Sequence, residues 1–131
     1  MRAALAAVLL IATLSAAPPA HALVAVAGPV AEETGFATPV VVVPHGQSVT
    51  FLNADPASYF HDFWAHDAFL PKNTTARWCL GFPLGRCPAF WSATISEAQT
   101  TPVLGVDKLA AGQYTFYCSL HETMKGTLVV V

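Results

Sequence analysis

Charge is scarce in this sequence: 6 Lys and Arg and 8 Asp and Glu among 131 residues. No stripe of Lys or Arg exists with which to neutralise phosphates, which argues against a nucleic-acid partner. Sulfur is scarcer still, with 3 cysteines and 2 methionines, one of them the initiator. Nowhere after the first residues do apolar side chains keep helical spacing for three turns, so a helical bundle is excluded. The longest uncharged apolar stretch, from Ala3 to about Ala17, is shorter than the ~20 residues a membrane span needs.

That stretch follows Met1 and Arg2 and leads to the small-x-small triplet Ala20-His21-Ala22, the layout of an export signal cut after Ala22. No cysteine lies near the cut, so no lipid anchor is expected. Removing residues 1–22 from 131 leaves 109, the size of one domain with one core. The mature part, 23–131, then carries five Lys/Arg against eight Asp/Glu, a net charge of about −3. The expected product is a monomeric protein of the periplasm or the cell exterior, with no membrane span in its mature chain.

The mature sequence reads as short apolar segments punctuated by Pro and Gly, the pattern of an all-β domain. Strands are predicted at 23–27, 39–43, 48–52, 60–65, 113–118 and 127–131. Turns fall at Pro44-His45-Gly46, Ala111-Gly112 and Lys125-Gly126. In the fifth strand Tyr114, Phe116 and Cys118 share one face, which sends Cys118 toward the interior. Between Phe69 and Pro102 the alternation is lost, and 69–102 reads as a long loop that needs something to hold it. Cys79 and Cys87, eight positions apart, are the natural clamp in an exported chain, worth ~2 to 3 kcal/mol. The alternative is a pair of reduced thiols.

Pairing Cys79 with Cys87 leaves Cys118 odd, and an odd thiol in an oxidising compartment calls for burial or a metal. It opens Cys118-Ser119-Leu120-His121-Glu122-Thr123-Met124, which gathers a thiolate, an imidazole and a thioether on one tight loop. That soft donor set selects copper over zinc, calcium or magnesium, and a second imidazole must come from elsewhere. His61 and His66 both lie in range. The spacing from Asn53 and the flank of Phe60, Phe63 and Trp64 favour His61. His45 reads as a turn residue in water, and His21 leaves with the signal.

Two segments, Tyr114 to Val130 and Val49 to Asn53 leading to His61-Asp62, resemble the cupredoxin family of blue-copper proteins, its plastocyanin and amicyanin-like members in particular. The resemblance implies a Greek-key β-sandwich, one copper ion held by His61, Cys118 and His121 with Met124 axial, and one-electron transfer to a redox partner that the sequence does not identify. It implies no enzymatic activity. A copper-delivery module would use the same four ligands. The chain departs from the family in having Asp62 where an Asn is usual. A carboxylate there can accept from Ser119 but cannot donate. The 69–102 insertion is the other departure. Its aromatic residues Trp78, Phe82, Phe90 and Trp91, with Trp64, either pack internally or form a docking face around the edge of His121.

Overall fold

The computed structural model describes residues 23–56, 59–72, 74, 76–79, 82 and 86–131. The predicted export signal, 1–22, lies outside the described residues. Seven strands form two sheets. Strand β1 (Leu23–Ala27) runs parallel to β3 (Val49–Asn53), which pairs antiparallel with β5 (Thr100–Val103). The second sheet has the order β2-β7-β6-β4, built from β2 (Val40–Val43), β4 (Trp64–Ala65), β6 (Gly112–Cys118) and β7 (His121–Val130). A single helical turn, α1 (Ala31–Thr34), links β1 to β2.

Alternation turns one face of each strand inward, as in the burial of Val41 and Val43 on β2 and of Val49, Phe51 and Asn53 on β3. The two inner faces meet in a core centred on Phe36, Phe51, Phe63 and Phe116, all at most 4% exposed. Phe63 stacks on Phe116 at 4.0 Å, and Phe36 meets both rings edge-on. The fold is the all-β, Greek-key sandwich expected, with a disulfide joining Cys79 to Cys87 across 5.4 Å between Cα atoms.

Four expectations about the strands need correction. The predicted strand at 60–65 shrinks to Trp64–Ala65, because His61 leaves the sheet and exchanges two backbone hydrogen bonds with Ile95, at 3.1 and 3.0 Å. Strand β5 overlaps the end of the segment read as loop; its Pro102 disguised it, and Pro is tolerated there because β5 is a sheet edge. Strand β7 begins at His121, six residues before the predicted start, so the whole Cys118–Met124 motif is a hairpin. Lys125-Gly126 is consequently no turn: Gly126 lies opposite Phe116, and a Cβ on it would come within 2.3 Å of the Phe116 ring. The glycine is needed for that close approach. Pro44-His45-Gly46 does turn, with Gly46 at φ +81° and Gln47 N–H donating to Pro44 O at 3.0 Å.

Candidate metal centre

Two loops at one end of the sandwich bring the site together. The first carries the Cys118–His121 hairpin. Pairing passes from Tyr117–Lys125 directly to Cys118–His121, so Glu122, Thr123 and Met124 form a bulge on β7. The bulge lets Met124 turn inward, and it is fully buried although both its neighbours are exposed. The second loop follows β3. Asn53 is buried and its carboxamide donates to Tyr59 O at 2.8 Å and Ile95 O at 3.0 Å, which holds the chain across the end of the sandwich just before His61.

His61 Nδ1 lies 3.9 Å from Cys118 Sγ, and His121 Nδ1 lies 3.6 Å from it. The three donor atoms fall within 4.8 Å of one another. Behind His61, its Nε2 lies 3.1 Å from Asp55 Oδ2, and both side chains are fully buried. A carboxylate at that nitrogen keeps the proton on Nε2 and leaves the Nδ1 lone pair facing the thiol. Asp55 went unnoticed in the sequence; its only signal there is its position two residues after Asn53 in the approach to His61. Glu32, Asp55 and His61 also converge, but that set shares His61 and offers no sulfur.

Burial pushes the Cys118 thiol above its ordinary pKa, and the charge of Asp62 adds to the rise. Backbone N–H groups of Asp62, Leu120 and His121 pull against them. A buried thiol facing two imidazole nitrogens, with no Lys or Arg beside it among the described residues, is a site in which a soft metal ion would supply the missing positive charge. The donors present fit such an ion.

Asp62 ties the two loops together. Its Oδ1 accepts from Ser119 N–H at 2.6 Å, and its Oδ2 accepts from Ser119 Oγ at 2.5 Å and Thr94 Oγ1 at 3.3 Å. An acceptor-only carboxylate therefore finds a donor at every contact, and the hairpin is held by it.

His66, the other candidate for the upstream imidazole, is outside this group: its Nδ1 lies 2.7 Å from Asp67 Oδ1 and its ring sits edge-on to Tyr117 at 5.0 Å. His45 is exposed in its turn. The aromatic residues of the insertion do not ring His121. Phe90 is fully buried, and Trp64, Phe82 and Trp91 pack edge-on against one another at 5.3 to 5.6 Å. The apolar residues beside His121 are Tyr59, whose ring lies edge-on to it at 6.3 Å, and its chain neighbour Leu120, 53% exposed.

The two-sheet topology and the position of this site at one end of the sandwich define a class: the chain has the cupredoxin fold. Its likeness is to a reduced Cu(I) form of an amicyanin variant at pH 4 (TM-score 0.55, 20% identity, 89% of this chain and 87% of that one). A purple cupredoxin from Nitrosopumilus maritimus superposes with TM-score 0.59 at 17% identity, over 83% of this chain and 99% of that one. No protein-family model and no curated protein matches the sequence.

Proposed function

We propose that the protein is an exported one-electron carrier that would hold a single copper ion through His61, Cys118 and His121, with Met124 as a weaker fourth ligand. The observation that carries this reading is the convergence within 4.8 Å of His61 with Cys118 and His121 of the hairpin whose bulge buries Met124. Thiolate, imidazole and thioether together select copper. The structures it resembles include a Cu(I) amicyanin, which agrees.

Bound copper would supply a one-electron couple; the protein supplies a cage braced by hydrogen bonds. Asp55 fixes the His61 ring, Asp62 fixes Ser119 beside Cys118, and Asn53 fixes the chain before His61. Rigid donors keep reorganisation between oxidation states small. His61 is fully buried while His121 is only half-buried, so electrons have a natural exit at the His121 edge. The exposed Tyr59 and Leu120 beside it give a partner an apolar surface to dock on. Export is supported by the Cys79–Cys87 disulfide, a bond that persists in oxidising compartments. Among the described residues no helix is long and apolar enough to cross a membrane.

Electrode voltammetry of the copper-loaded protein tests the carrier role. A carrier shows a reversible one-electron wave with fast exchange and keeps its copper against a chelator in both oxidation states. Sluggish exchange with ready loss of Cu(I) to an apo-acceptor would instead indicate copper delivery.

A further inference from the structure

The 69–102 insertion builds a second feature that the metal centre does not use. On the outer face of the β4–β6 ladder Trp64 and Tyr117 stand directly opposite each other, because their partners in register, Ala65 and Phe116, point into the core. Phe69, Phe82, Pro88 and Arg86 rise around them to enclose a groove of about 630 Å³, a size that suits one small organic molecule.

This groove is held in shape from outside. Cys79 is bonded to Cys87, Leu70 N–H donates to Cys87 O at 2.8 Å, Ala89 N–H to Ala68 O at 2.8 Å, and the Trp91 indole to Trp78 O at 3.1 Å. Of its aromatic lining, Phe69 remains 55% exposed. A preformed concavity with several aromatic side chains on its lining recognises a planar ring.

Charge decides what else the ligand carries. Residues 69–102 contain Lys72, Arg77 and Arg86 against the single carboxylate of Glu97, a charge of +2, whereas the rest of 23–131 has two Lys against seven Asp and Glu, or −5. His66, also on the groove, already faces Asp67 at 2.7 Å. Arg86 has no carboxylate partner among the described residues. A guanidinium at the edge of an aromatic groove pairs with a planar carboxylate.

We propose that this groove binds a small planar aromatic carboxylate, its ring against Trp64, Tyr117, Phe69 and Phe82 and its carboxylate on Arg86. The binding does not depend on copper, so copper-free protein serves for the test and a failure of the metal reading leaves it intact. Naphthalene-2-carboxylate is titrated by calorimetry, with tryptophan fluorescence as the second signal. Saturable 1:1 binding is expected, about tenfold tighter than that of the uncharged naphthalene-2-carboxamide. Arg86→Gln should erase the preference for the acid, and Phe69→Ala should weaken both ligands. Both residues are on the surface, and an unchanged urea midpoint confirms that each variant is folded. No saturable binding at millimolar ligand, equal affinity of wild type for acid and amide, or indifference to both substitutions would overturn the proposal. So would a preference for the dipeptide acetyl-Asp-Trp-amide over the naphthoate, which would assign the groove to a protein partner.

Discussion

Replacing Asp62 with Ala should loosen the join between the two loops of the metal centre, and the cost follows from its contacts. The carboxylate is fully buried and accepts two short hydrogen bonds from Ser119, at 2.6 and 2.5 Å, and a longer one from Thr94 at 3.3 Å. A hydrogen bond to a charged group contributes roughly 1.5 to 3 kcal/mol. Two effects offset the sum: Ser119 is exposed, so water replaces part of what it loses, and removing a buried carboxylate also removes its desolvation cost. A net loss of about 2 kcal/mol is expected for Asp62→Ala. Asp62→Asn keeps an acceptor for the Ser119 N–H and should lose about 1 kcal/mol. Urea unfolding of the copper-free protein measures both, with an unchanged m-value as the check that the native state stays compact. A double-mutant cycle with Ser119→Ala should return a coupling of about 1 kcal/mol or more. An Asp62→Ala protein within 0.5 kcal/mol of wild type, or a coupling of zero, would refute the idea that this carboxylate clasps the loops.

The choice between the two candidate imidazoles is tested by His61→Ala and His66→Ala: the first should abolish the coloured copper site, whereas the second should leave its spectrum nearly unchanged. Cys118 and Tyr117 both titrate above their ordinary pKa, chiefly because burial disfavours their charged forms. The folded state therefore binds more protons than the unfolded chain once the unfolded groups begin to ionise. Copper-free stability should be fully present in neutral solution and should fall as pH rises above roughly 8.5, seen as a declining urea midpoint. Cys118→Ser should flatten the first part of that decline. Opening the Cys79–Cys87 bond with Cys79→Ser and Cys87→Ser should cost about 2.5 kcal/mol from loop-closure entropy, measured by urea unfolding with the sheets' circular dichroism retained.

Much of the site was legible because its chemistry is local. Cys118, His121 and Met124 lie within one hairpin, and alternation along β6 alone sends Cys118 inward. The disulfide was legible from three cysteines and the expectation of export. What the sequence concealed depends on contacts between distant segments. Asp55 is an unremarkable turn residue until the fold sets it against His61 Nε2. Strand β5 exists because β3 offers an edge that tolerates Pro102. The true extent of β7 was hidden because Gly126, a turn former in isolation, is there to admit the Phe116 ring. The aromatic residues of the insertion were conspicuous, but composition could not say which way they faced: Phe69 and Phe82 line the groove beside Trp64 and Tyr117, whereas Phe90 is fully buried in the core.

Adding Cu(II) to the metal-free protein bears most directly on the central claim. One equivalent should bind and produce an intense visible band from thiolate-to-copper charge transfer, and Cys118→Ser should bind without that band. A wild-type protein that stays colourless, or a colour that survives Cys118→Ser, would contradict the account.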